Sequence, residues 1–427
     1  MPLIQSLSFT PVVLTWIICG VATALVILRP MSWPEAIWAC GGAGLLVALG
    51  LVQPFAAWAG ILKGLDVYLF LIGMMLLSEL ARREGLFDWM AALATKAAKG
   101  SATRLFLLVY GVGTIVTVFL SNDATAVVLT PAVYAATRAA NVEDPLPYLI
   151  VCAFIANAAS FVLPISNPAN LVVFGGGHMP PLADWIRMFG LPSIMSILAT
   201  YGALYWTQRR TLAAETIATD VERPGLSTAG KIAGVGIGAT ATVLIGASAL
   251  GRDLGLPTLV AGLATAVIVL VVKREGPVET LRDISWGVLP LVAGLFVLVE
   301  ALDITGVIRL LADELRRAAA ADPTGTAWGA GTAVAIVTNL ANNLPVGLVA
   351  GSAVQQAGVS PQVAGAILIG VDLGPNLSVT GSLATILWLT ALRREGQNVG
   401  AWQFLKLGLV VMPPALALSL LALILVG

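Results

Sequence analysis

Residues 105–137 read LFLLVYGVGTIVTVFLSNDATAVVLTPAVYAAT, an apolar stretch interrupted near its middle by Ser121-Asn122-Asp123. At 33 residues it is too long for one helical crossing of a bilayer, which takes roughly 20, and too short for two crossings with a turn. A re-entrant helical hairpin fits that length. Residues 327–357 pose the same problem, with Ala341-Asn342-Asn343 near the centre and Pro345 just after. Non-helical backbone at membrane depth is tolerated only where protein buries it or where it lines a cavity. Both tips are therefore expected to point at a site.

The rest of the chain supports a membrane setting. Of its 427 residues, 58% are apolar and 11% charged, against roughly 45–50% and about 25% in soluble chains. Uncharged runs at 9–28, 36–62, 188–208, 232–251, 254–272, 373–392 and 407–427 each approach or exceed a helical crossing. They lack the period-two alternation of barrel strands, so an all-α polytopic membrane protein is expected. Equal numbers of basic and acidic residues, 23 of each, leave no basic surface for nucleic acid. The first run follows no basic segment, which argues against a cleaved leader. Cys19, Cys40 and Cys152 all fall inside apolar runs, suggesting neither a disulfide nor a metal site. No Walker A, HExxH, DDxxD or GxGD motif occurs, so a transporter is expected rather than an enzyme, and no cofactor is implied.

Each hairpin is followed by a long segment with a polar break. Residues 148–175 are broken by Pro164-Ile165-Ser166-Asn167-Pro168-Ala169-Asn170, and residues 362–392 by Asp372-Leu373-Gly374-Pro375-Asn376 and Thr380-Gly381-Ser382. Proline, glycine and small amides at mid-span suit an unwound helix. The pairing extends to a weak internal repeat: Gly73 and Gly294, Glu79 and Glu300, and Gly85 and Gly306 align at an offset of 221, while Asn122 and Asn342 align at 220. The expectation is two halves, 1–206 and 231–427, each with five crossings and one hairpin, joined by a polar linker at 207–230. An odd number of crossings inverts one half relative to the other.

Charge sets the expected orientation. With the N-terminus outside, 17 of the 23 Lys and Arg residues fall on the cytoplasmic side, leaving Lys63, Arg187, Arg252, Arg309, Arg316 and Arg317 outside. Such a bias places the linker in the cytoplasm, both termini outside, and the chain in the cell (inner or plasma) membrane. The hairpins then enter from opposite faces and their tips meet near the midplane.

EGLFDWMA at 84–91, SNDATAVVLTP at 121–131, LPISNPANLVV at 163–173, ANNLP at 341–345 and DLGPNLSVTGSLATILWL at 372–389 resemble the ArsB family of arsenite/antimonite efflux permeases, within the ion transporter superfamily. The resemblance covers nearly the whole chain. DLGPN followed by GSLAT and Leu-Trp is its most specific part, whereas SNDAT and SNPAN are shared with citrate, dicarboxylate and sodium/proton transporters. It implies export of trivalent arsenic and antimony driven by an ion gradient, assisted in some systems by a separate cytoplasmic arsenical-pump ATPase.

Arsenous acid is neutral at pH 7 and carries hydroxyls that donate and accept hydrogen bonds. Asn122, Ser166, Asn167, Asn170, Asn342, Asn343, Asn376, Thr380 and Ser382 offer matching groups without fixed charge, against the plainer reading that they cap half-helices and bridge backbone breaks. Asp123 and Asp372, one in each half, are the candidate proton or ion carriers, because a carboxylate inside a span must be paired or protonated. Cys152 and the lone His178 are expected to be a core hydrophobe and a loop residue. Glu79 and Glu300 are expected to snorkel or to pair with loop cations. A sodium/proton antiporter or a sodium-coupled carboxylate carrier would share the architecture. Carboxylate cargo calls for a cation near the tips, and 105–137 and 323–392 hold none. Motion of hairpins and broken spans as one body against the other spans is expected, with small residues around Gly73 and Gly294 on the sliding surface.

Overall fold

The computed structural model describes residues 9–174, 179–219 and 225–426. Among them the regular structure is helical apart from one isolated bridge between Ser101 and Thr216. The first ten α-helices are α1 (Phe9–Leu28), α2 (Glu35–Ala48), α3 (Pro54–Lys63), α4 (Leu65–Arg83), α5 (Leu86–Ala97), α6 (Ala102–Phe119), α7 (Thr130–Ala139), α8 (Leu146–Ala158), α9 (Pro168–Phe174) and α10 (Leu182–Ala214). The second ten are α11 (Thr228–Ala249), α12 (Gly255–Lys273), α13 (Val278–Asp283), α14 (Val288–Ile304), α15 (Val307–Ala321), α16 (Pro323–Ala341), α17 (Asn343–Ala357), α18 (Pro361–Leu373), α19 (Leu383–Arg394) and α20 (Ala401–Val426). Six helices are individually long and apolar enough to cross a bilayer, and two bent pairs, α3–α4 at 50° and α14–α15 at 72°, raise the number among the described residues to eight. The chain is a multi-pass membrane protein.

The uncharged run at 36–62 is not one span, contrary to the reading of its composition. Gly50 adopts φ +68°, Leu51 N–H and Val52 N–H both return to Leu46 O, and Pro54 starts α3. A left-handed glycine after a helix end, with proline close behind, is a helix stop that composition alone conceals. α10 continues to Ala214, so residues 207–214 of the expected linker are helical. His178 lies outside the described residues, as does 220–224 within the linker.

Helices of the two sets pack crosswise. α4 lies against α12, and α14 against α2. A Cβ at Gly262 would come 2.8 Å from Gly73 O, and one at Gly294 would come 2.9 Å from Cys40 N. Gly73 and Gly294 therefore close these two helix crossings. Apolar packing alone gives helices no register in lipid, and backbone approach through small residues supplies it. Both recurring acids are paired: Glu79 accepts two hydrogen bonds from Arg82, at 2.9 and 2.5 Å, and Glu300 accepts from Lys63 at 2.6 Å.

The remaining helices surround the breaks. α16 packs along α18, α17 on α9, and α10 against α20. Trp388, the tryptophan of the Leu-Trp motif, is fully buried and donates to Leu149 O at 2.9 Å, tying α19 to α8.

Candidate functional site

The first hairpin turns at Leu120-Ser121. Ser121 Oγ accepts from Ala124 N at 3.1 Å and Asn122 Oδ1 from Asp123 N at 2.9 Å, so the second arm begins with capped N–H groups. Ala124–Leu129 then forms a π-helical turn before α7. Pro131, just beyond the turn, has no N–H to continue the ladder, and Thr130 Oγ1 donates to Ala126 O at 2.7 Å. Such turns occur mostly as single insertions at functional sites.

The second hairpin turns at one residue. Asn342 has φ +66° and ψ 150°, a backbone region that residues other than glycine rarely adopt, and its Oδ1 accepts from Leu344 N at 3.3 Å. Asn343 N–H donates to Gly381 O at 2.8 Å, pinning this tip to the break between α18 and α19. That break begins with Gly374, where a Cβ would lie 2.6 Å from Ala335 Cα; only glycine lets α16 approach this closely.

Between tips and breaks lies a cavity of about 40 Å³, walled by Asn122, Asp123, Asn167, Asn343 and Ser382 together with apolar side chains such as Leu71, Val292 and Leu344. A water needs roughly 10–15 Å³ on this measure, so there is room for about three waters or one small solute. Two of its apolar walls, Leu71 and Val292, come from α4 and α14. The site is thus closed on one side by the crosswise-packed helices.

Of the sequence-predicted residues, Asn122, Asn167, Asn343, Ser382 and Asp123 are brought together on this wall. Ser166, Asn170, Asn342, Asn376 and Thr380 are not on it. Their side chains serve the breaks. Ser166 Oγ donates to Val118 O at 3.0 Å, stapling the first hairpin to the α8–α9 break. Asn170 Nδ2 reaches Ser160 O, Leu163 O and Pro164 O at 2.9, 3.1 and 3.3 Å, serving carbonyls of the unwound segment. Asn376 accepts from Asn157 Nδ2 and donates to Phe154 O, both at 3.0 Å. Thr380 Oγ1 donates to Asn339 O at 2.9 Å, and Asn342 Nδ2 to Thr380 O at 3.4 Å.

The two carboxyl groups differ in setting. Asp123 is on the cavity wall, half-buried. Asp372 is off the wall and fully buried; its Oδ1 accepts from Asn167 Nδ2 at 2.8 Å, and its Oδ2 has no hydrogen-bond partner. Ser160 lies beside it but donates its own proton to Asn157 O at 2.7 Å. Cys152 is buried in α8 and does not reach the cavity.

Sequence reading gave no site role to Asn339, whose Nδ2 donates to Gly374 O at 3.1 Å and whose Oδ1 accepts from Ser378 Oγ at 2.8 Å. It is an amide in the last turn of α16, just before the Asn342 turn, and that position is the signal that could have found it.

A small cavity with five polar side chains on its wall, set between two helical turns and two broken helices of a multi-pass helical body, defines a membrane transporter. The match to the citrate transporter family model (CitMHS) spans residues 12–371, and the chain belongs to that family. It is 28% identical over 377 residues to the arsenical pump membrane protein of Yersinia enterocolitica, covering 82% of this chain and 84% of that one. With the arsenical pump membrane protein of Escherichia coli (strain K12) it shares 26% over 422 residues, 93% and 95% of the two chains. The crystal structure of the Alcanivorax borkumensis YdaH transporter has the same fold, with a TM-score of 0.58 at 17% identity, covering 98% of this chain and 97% of that one.

Proposed function

We propose that this transporter exports trivalent arsenic, as arsenite, and antimonite from the cytoplasm, coupled to the proton gradient. The observation that carries the reading is the polar part of the cavity wall, three amides, one hydroxyl and one carboxyl among apolar side chains, with no Lys or Arg. Neutral arsenous acid matches amide and hydroxyl partners in a space of this size. Citrate, the cargo in the family's description, is a much larger polyanion; it would meet Asp123 with no cation to offset the repulsion. Relatives called arsenical pump membrane proteins match over more than four-fifths of both chains, which supports the same reading.

Asp372 is the proposed proton carrier, with Asp123 contributing to the charge of the cavity. The two ten-helix sets are read as inverted repeats, with the linker in the cytoplasm and the chain in the inner membrane. The hairpins and broken helices travel together past the crosswise pairs α4–α12 and α2–α14. A separate cytoplasmic arsenical-pump ATPase is a candidate partner. Expression in cells lacking their own arsenite exporter tests the cargo: intracellular arsenic is expected to fall, with citrate accumulation unchanged. Unaltered arsenic alongside raised citrate uptake would move the assignment to carboxylate transport.

A further inference from the structure

Asn167 is the one described residue that both walls the cavity and hydrogen-bonds Asp372. Its geometry is fixed by sequence. Pro168 follows it, which holds Asn167 extended, at φ −150° and ψ 132°. Because proline has no N–H, the first donor of α9 is Ala169, which gives its N–H to Asn167 Oδ1 at 3.0 Å. A backbone N–H can only donate, so this contact fixes which end of the carboxamide is oxygen. The NH2 end must then face Asp372. One of its two protons goes to Asp372 Oδ1; the other has no protein acceptor among the described residues.

We infer that Asn167 is a positioning residue that links cargo in the cavity to the protonation of Asp372 behind it. The inference rests on the proton-coupled reading above. With Asp372 ionised, Asn167 Nδ2–H makes a charge-assisted bond that holds the amide tightly. A proton from water arriving at Oδ2, the oxygen without a partner, reduces that bond to neutral strength and frees the amide to adjust to cargo. The second N–H serves a cargo oxygen in either state, with different strength. A difference in cargo affinity between two protonation states is by reciprocity a difference in proton affinity with and without cargo. The cavity and the buried carboxyl thus need no direct contact.

Other titratable groups do not supply this link. α9, α16 and α17, packed against α18, carry none. α8 brings Tyr148 and Cys152, and α20 brings Lys406. α10, touching Gly365 through Met188, brings the exposed Asp184 and Arg187. None of these hydrogen-bonds Asp372, and Asp123 is the other carboxyl on the cavity.

The test uses the purified full-length protein, with infrared titration of the Asp372 carboxyl band, identified by its loss in Asp372→Asn, and arsenite titrations across pH. In Asn167→Ala the band is expected to persist to higher pH by about one to two units, the worth of a hydrogen bond to a charged group. The arsenite Kd is expected to lose its pH dependence. Asn167→Ser keeps an oxygen acceptor for Ala169 N–H and should behave alike, which separates the effect from loss of the helix cap. Asn122→Ala, on the same wall without a bond to Asp372, is expected to weaken arsenite binding about tenfold, the worth of one hydrogen bond, with the carboxyl titration unmoved. Unchanged titration of Asp372 in both Asn167 variants would overturn the link. Failure of the wild-type protein to bind arsenite would overturn the cargo assignment instead, and the carboxyl titration would still decide the link.

Discussion

Asp123 and Asp372 are the same side chain in two regions built from matching elements, a hairpin tip and a broken helix, yet they meet different surroundings. Asp123 follows Asn122 at the first tip, on the cavity wall and half-buried. The corresponding place at the second tip is Asn343, also on the wall and neutral. Asp372 precedes the second break, fully buried, and is held by an amide from the first break. The two tips both bring an amide to the cavity wall, while the two carboxyls take different places, Asp123 on the wall and Asp372 behind it. One acid can be screened by cavity water; the other can exchange charge only by taking up or losing a proton or ion.

If that division is right, Asp372→Asn should have the largest effect, loss of gradient-driven arsenite export with the protein still folded, measured as transport against membrane content. Replacing Asn170 should come next in stability. Asn170→Ala removes the two N–H donors shared among three carbonyls at the first break and is expected to cost about 2 kcal/mol, read as a lower unfolding temperature in detergent. At the second break, Gly374→Ala forces a methyl against the α16 backbone and is expected to cost about 1–3 kcal/mol; wild-type stability would mean that the two helices are free to separate. Asp123→Asn should change the arsenite Kd while leaving proton coupling intact, and loss of coupling there would erase the distinction between the acids. The smallest effect is expected from Cys19→Ala, Cys40→Ala and Cys152→Ala combined, since none of these thiols walls the cavity. Export should continue at a rate near wild type, and its loss in folded protein would argue for thiol ligation of arsenic.

The apolar runs made the all-helical membrane fold legible, because chain length per crossing is set by the bilayer. The polar interruptions marked where the helices break for a similar reason: an amide or proline in lipid has to be justified by a partner. What sequence could not apportion was which amide faces the cavity and which serves the backbone. Asn167 and Asn170 stand three residues apart in one motif, yet one walls the cavity and the other ties down three carbonyls. That choice depends on which carbonyls unwinding exposes. Gly73 and Gly294 teach the same lesson for packing. Small residues signal close approach of helices, but not whether the contact is fixed or sliding, and here both sit at backbone crossings. The stop at Gly50 was hidden because a left-handed turn needs only one glycine.

The most direct test of proton-coupled arsenic export is arsenite uptake into everted membrane vesicles, with and without an imposed proton gradient, for wild type and Asp372→Asn. Wild-type vesicles are expected to accumulate arsenite only when the gradient is present, and Asp372→Asn vesicles to show no gradient-dependent uptake. Accumulation that is equal with and without the gradient, or that survives intact in Asp372→Asn, would contradict the account.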